Sequence, residues 1–231
     1  GGTVSGTSKT SDALMQTINN LLDRLPEEFE MVSLSLKAKP FLDGESGPFT
    51  VVALQEAGRM NALLKEIRRS IEDSIKGLRG EANFSRANED LAKEITMDQW
   101  PGRDPFSLST WGKLSWSSQM SLSATFDNML KRVVQLKKWT ESFELPKSMW
   151  ISGLFNPQSF LTAAMQVSSR ARGIALDKMT IETVVTDYDE AKEVQDYPQE
   201  GVYVHGLFIE GGRWNKEEKV LEESRLKELQ P

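Results

Sequence analysis

Among 231 residues, 28 are Lys or Arg against 34 Asp and Glu, a formal charge of −6, with one histidine, six tryptophans and no cysteine. The missing thiols exclude a disulfide framework, a cysteine nucleophile and a cysteine-ligated metal, and the single His205 excludes multi-histidine metal centres built within the chain. The acidic balance argues against nucleic acid as a partner, and a membrane is not expected because no apolar run approaches the roughly 20 residues of a span and the N-terminus lacks a signal pattern.

Residues 1–11 read as a tail, a loop joined to an expression remnant. After Ser11 and Asp12, either of which can cap, Leu14, Ile18, Leu21, Leu22 and Leu25 share a helical stripe that Pro26 ends. Residues 27–49 mix polarity with Pro40, Pro48 and Asp43-Gly44, which predicts a connector with an extended piece at Val32–Leu36. The strongest pattern, Met60, Leu64, Ile67, Ile71, Ile75 and Leu78, predicts a long helix from about Thr50 to Arg79 with Gly80 past its end. Its opposite face reads as solvated, with pairings such as Arg68 and Glu72 four residues apart.

A shorter helix is expected over Ser85–Ile95, and Trp100-Pro101-Gly102-Arg103-Asp104-Pro105 forbids one immediately after it. Leu122–Phe143 is helical by the spacing of Phe126, Met129, Val133 and Leu136, with Pro146 as its limit. Asn156-Pro157 opens another helix, since Asn caps free amides and Pro is tolerated in the first turn, and Gly173 closes it behind Arg170 and Arg172. Beyond Asp177 the period changes to two. Met179–Val185 and Gly201–Glu210 read as strands, the second with Tyr203, His205, Leu207 and Ile209 on one face, and Lys219–Ser224 as a third after a Gly211-Gly212 turn.

The catalytic signals are weak. Lys9 stands three residues after Gly6, with no strand before it, so Gly-Thr-Ser-Lys-Thr is not a phosphate loop. No Gly-x-Ser-x-Gly occurs, and His205, between Val204 and Gly206, reads as structural. Asp187, Asp189 and Glu190 lack the Gly and distal Glu of a calcium loop and read as solvated carboxylates. Asn83-Phe84-Ser85 matches a glycosylation sequon by chance. The tryptophans cluster at breaks between elements, which suits core or interface packing.

From Pro146 the sequence runs Pro-Lys-Ser-Met-Trp-Ile-Ser-Gly-Leu-Phe-Asn-Pro-Gln-Ser-Phe-Leu-Thr-Ala-Ala-Met-Gln, which resembles the signature block of the C-terminal domain of dynein heavy chains at Trp150, Gly153, Leu154, Phe155, Pro157, Phe160 and Gln166. Leu176-Asp177-Lys178-Met179 and the run Gly201–Gly211 with Trp214 resemble the same family. So do Leu25-Pro26, Gln55-Glu56, Arg59-Met60-Asn61, Leu63-Leu64, Ile67-Arg68-Arg69-Ser70 and Gly77–Gly80. The wording is nearer to axonemal than to cytoplasmic dyneins, and nearest to the outer-arm β type.

The resemblance implies an α+β, mainly α fold: a helical subdomain over 12–175 followed by a partial antiparallel β-barrel over 176–231. Family members usually run several tens of residues past Pro231, so the barrel is expected to be incomplete, its last strand pairing with another copy or poorly ordered. It also implies a domain lying across the motor's ring of AAA+ ATPase modules, opposite the mechanical linker, tuning movement rather than hydrolysing ATP. The implied partners are that ring and, indirectly, the axonemal dynein complex and microtubules, in the cytoskeleton of a cilium or flagellum. No catalytic residue, metal or cofactor is expected. Trp150, Gly153, Phe155, Asn156, Pro157 and Phe160 are expected to fix the join between the halves, and Tyr203, Leu207 and Trp214 to organise the β unit. The alternatives are a free-standing helical scaffold that self-associates and a carboxylate-dependent hydrolase.

Overall fold

A computed structural model describes residues 4–188, 191–207, 211–215, 217–218 and 220–223. Among these residues lie seven helices: α1 (Val4–Arg24), α2 (Met31–Leu42), α3 (Gly47–Leu78), α4 (Arg86–Thr96), the single turn α5 (Trp111–Leu114), α6 (Leu122–Ser142) and α7 (Pro157–Arg172). Four short strands accompany them: β1 (Ser148–Trp150), β2 (Tyr203–His205), β3 (Gly212–Asn215) and β4 (Val220–Glu223). The fold is therefore α+β and mainly α.

The long helix α3 is the axis, and each of the other six helices packs against it. Its stripe of Met60, Leu64, Ile67 and Ile71 is fully buried, as the spacing requires. Further along, Phe49 of α3 meets Trp139 of α6 at 5.1 Å and Phe160 of α7 at 6.2 Å between ring centroids, and Trp139 stacks on Phe160 at 5.5 Å. These three rings tie the ends of α3, α6 and α7 into one core.

The helix ends follow side-chain chemistry. Ser85 and Asn88 form a reciprocal capping box on α4, Ser121 caps α6 by accepting from the Ala124 amide, and Asn156 caps α7 by accepting from the Ser159 amide. Gly173 closes α7 in the left-handed conformation, at φ +63°.

Several expectations need correction. Helix α1 begins at Val4, before the caps foreseen at Ser11 or Asp12. Residues 31–42 form α2 rather than a connector with an extended piece. Met31, Leu34, Ala38 and Phe41 face the core at spacings of three, four and three, while Val32 and Leu36 point outward. Pro40 sits in the last turn, where it forgoes its own amide bond to the Leu36 carbonyl, and the helix ends two residues later at Leu42. Arg68 does not pair with Glu72; it reaches Glu28 at 3.8 Å and Glu27 at 4.0 Å and donates to the Pro26 carbonyl at 3.2 Å, bracing the turn after α1.

The β region departs furthest. Met179–Val185 is not a strand, and Ile181, Val184 and Val185 are exposed. Of Gly201–Glu210, only Tyr203–His205 is a strand, and residues 208–210 lie outside the described residues. β2 pairs in parallel with β1, a strand the sequence did not announce, in the register Ser148 to Tyr203 and Trp150 to His205. Val204 of β2 and Val202 just before it pack against the helical core, so the face expected for Tyr203, His205 and Leu207 is the outer one. Gly212 opens β3 instead of completing a turn, and β3 pairs antiparallel with β4, Trp214 opposite Leu221. The last strand thus pairs within its own chain. Lys219 and Ser224, the ends expected for it, lie outside the described residues, among which two separate two-stranded sheets stand and no closed barrel.

Candidate functional site at the helix and strand junction

The apolar stripe of α3 places Glu56 one turn before Met60, on the buried side of the helix, where it is 2% exposed. A carboxylate there must find donors, since an unpaired buried charge is costly. It finds them at the start of α7: the Phe155 amide donates to Oε2 at 2.7 Å and the Asn156 amide to Oε1 at 2.8 Å. Glu56 thus holds the N-terminal end of α7 with a negative charge, where the helix dipole favours one. Burial pushes its carboxyl above the ordinary 4.5, against the pull of those two amides and of Arg59 and Arg132.

Arg132 is the buried cation of the junction, 4% exposed on the apolar side of α6 between Met129 and Leu136. Its guanidinium lies 3.6 Å from the Trp116 ring centroid and 5.2 Å from that of Trp150. A weakly hydrated, planar cation is suited to such a position between rings. Nε donates to Asn128 at 2.7 Å and a terminal nitrogen to the Leu154 carbonyl at 3.4 Å. Burial lowers its pKa to about 10, an effect that the Glu56 charge opposes. One turn along α6, Gln135 accepts from the Trp150 amide at 2.9 Å and donates to the Trp150 carbonyl at 3.1 Å.

Around this centre lie the residues singled out from the sequence. The Trp150 ring leaves no room for side chains at two glycines. A Cβ on Gly153 would stand 2.5 Å from its six-membered ring, and one on Gly206, at φ +70°, would collide with its five-membered edge. Phe155 meets Trp116 edge-on at 5.9 Å. Asn156 caps α7, Pro157 occupies its first turn at the surface, and Phe160 is fully buried. Tyr203 is half-buried and meets Tyr188 at 5.6 Å. Leu207 and Trp214 are not gathered here; they are 53% and 39% exposed, and Trp214 belongs to the separate β3–β4 hairpin.

Four polar residues to which the sequence alone assigned no role turn out to organise the body: Glu56, Asn61, Arg132 and Gln135. Asn61 clamps the turn after α1 by accepting from the Phe29 amide and donating to the Phe29 carbonyl, both at 2.7 Å. A signal was present. Each of Glu56, Asn61 and Arg132 interrupts an apolar helical stripe, and such positions call for internal partners.

A groove of about 470 Å³ runs between the start of α3 and α7; its lining includes Val51, Val52, Ala163 and Gln166, and Arg170 is its only charged member. Of the acidic cluster Asp187, Asp189 and Glu190, the last two lie outside the described residues. Among the described residues, no group of three or more His, Asp or Glu is placed to hold a metal ion, and no helix is long and apolar enough to cross a membrane. The junction's charged groups are committed to amides and rings, an arrangement that fixes geometry. Apolar groups face solvent elsewhere, among them Phe106 and Leu108 beyond α4, Val32 and Leu36 on α2, Val134 on α6 and Val184 after α7.

The family model that describes the C-terminal domain of the dynein heavy chain matches residues 1–231. Among curated proteins, the sequence is 38% identical over 220 residues to "Dynein beta chain, ciliary" of Tripneustes gratilla, covering 95% of this chain and 5% of that protein. It is 38% identical over 230 residues to "Dynein axonemal heavy chain 17" of Homo sapiens, covering 100% and 5%. To "Dynein alpha chain, flagellar outer arm" of Chlamydomonas reinhardtii it is 42% identical over 221 residues, covering 95% and 5%. The chain spans about 5% of the length of these curated relatives.

Proposed function

Because the chain belongs to the family formed by the C-terminal domains of dynein heavy chains, we propose that it is the docking and regulatory domain of an axonemal dynein heavy chain, packing on that motor's ring of AAA+ modules and tuning microtubule-based movement in cilia and flagella. The observation that carries the reading is the match across the whole chain, joined by relatives named for cilia, flagella and the axoneme. The chemistry is in keeping with it. The Glu56, Arg132 and Gln135 groups make a rigid body, and rigid bodies with exposed apolar groups dock at low entropic cost.

In this reading the domain itself is not a catalyst. The helical part, residues 12–175, presents the main contact to the ring, and residues 176–231 a second. Trp150, Gly153, Phe155, Asn156, Pro157 and Phe160 act by holding the two parts in one geometry.

The test is a heavy chain lacking residues 12–231, with an intact ring checked by electron microscopy. It is expected to retain ATP hydrolysis while its microtubule gliding velocity and stall force change. Unchanged motility would overturn the regulatory role. Titrating a fluorescent ATP analogue into the isolated domain is expected to give no saturable signal, and tight binding would move nucleotide chemistry into this domain. A self-associating scaffold predicts instead a concentration-dependent mass in light scattering.

A further inference from the structure

The segment 101–110, between α4 and α5, carries Phe106, which at 88% is the most exposed large apolar side chain among the described residues, and Leu108 at 53%. An exposed phenylalanine on a floppy loop would mean little. This loop is held from within: buried Glu94 accepts from the Gly102 amide at 3.1 Å and the Ser107 hydroxyl at 3.0 Å. On either side of the ring, Asp104 accepts from the Phe106 amide and Asp90 from the Leu108 amide, each at 2.9 Å. At the loop's far end Thr110 donates to Glu66 of α3. The side chain is therefore presented on a backbone whose order is already set, which removes a main cost of association.

The surroundings state what kind of surface would receive it. Asp90 and Asp104 have no ion-pair partner among the described residues, and Glu94 lies behind them. Burial pushes the Glu94 carboxyl up and the charges of Asp90 and Asp104 add to it, against the pull of the Gly102 amide and the Ser107 hydroxyl, while Arg103, the one cation of the loop, donates to the Met120 carbonyl. An aromatic knob between two carboxylates fits an apolar pocket whose rim is cationic. The rival patch on α2 offers smaller aliphatic groups, Val32 and Leu36, beside Lys37 and Lys39, and so carries the opposite charge.

We propose that the 101–110 loop is the anchor of this domain on the body of its own heavy chain, with Phe106 inserted in an apolar pocket rimmed by lysine or arginine. The inference rests on the docking reading above and names its point of contact.

The experiment uses the full heavy chain, with the photoreactive residue p-benzoylphenylalanine placed in turn at position 106 and, as a parallel arm, at position 36. Position 106 is at the surface, so the fold is not at risk. Irradiation is expected to link position 106 to a peptide outside residues 1–231 that contains apolar residues and Lys or Arg, and Asp104→Lys is expected to lower that yield severalfold. Links from position 36 with none from 106 would move the anchor to α2 and overturn this inference while leaving docking intact. A link from 106 that Asp104→Lys does not weaken would overturn the cationic rim, and a link to a second heavy chain would overturn the intramolecular anchor. No link beyond residue 231 or before residue 1 from either position would remove the docking reading as well.

Discussion

Trp150 and Trp214 both sit in short strands, yet they live in different environments. Trp150 ends β1 with its backbone amide and carbonyl bonded to Gln135, its ring beside the Arg132 guanidinium and against Gly153 and Gly206. Trp214 lies in a hairpin of two strands, 39% exposed. What differs is the layer behind each strand. β1 is bonded to α6 through Gln135, whereas β3 has β4 as its one strand neighbour among the described residues. A two-stranded hairpin is marginal in water. An indole therefore stabilises this protein in proportion to what faces it, and the junction should carry stability that the hairpin does not.

That contrast can be broken by mutation. The largest effect is expected for Phe160→Ala, which empties a fully buried site between Phe49 and Trp139 and should cost about 3–5 kcal/mol in urea unfolding. Next comes Glu56→Ala, which strips the Phe155 and Asn156 amides of their acceptor; about 2–4 kcal/mol is expected from two buried donors left unpaired.

The same carboxylate gives a smaller, signed effect with pH. Its folded pKa is raised above 4.5, so its contribution to stability is fully present below about 4.5 and is lost as pH rises through the higher folded value. Stability measured across that window should fall less steeply in Glu56→Gln than in the native protein. A steeper fall would contradict the burial argument. The smallest effect is expected for Trp214→Ala, below about 1 kcal/mol. Were it to match Phe160→Ala, the hairpin would have to be counted as part of the core.

Much of the helical body was legible because a helix satisfies its amides within one segment, so the spacing of Met60, Leu64, Ile67 and Ile71 was enough to find α3. Caps were legible for the same reason, as Asn156-Pro157 and Gly173 show. Helix α2 is hidden in the sequence because Pro40, Pro48 and Asp43-Gly44 point to a connector, while the Met31, Leu34, Ala38 and Phe41 spacing covers only about three turns. The Glu56 and Arg132 pair was in view only as interruptions in apolar stripes, since their partners lie about a hundred and about twenty residues away at Phe155 and Leu154.

Strands show the opposite limit. Met179–Val185 alternates as a strand should, but a strand exists only where another supplies its donors and acceptors. β2 found its partner in Ser148–Trp150, a segment with no alternation to advertise it.

The sequence by itself determined most of the helical segments, among them α3, α4, α6 and α7, the absence of thiol chemistry and a likeness to the C-terminal domain of dynein heavy chains, because each is written in neighbouring residues. The tertiary structure alone decided which indoles are buried, which carboxylates hold backbone amides and which strands pair. These outcomes depend on groups far apart in sequence being brought within hydrogen-bonding and packing distance, where local pattern has no reach.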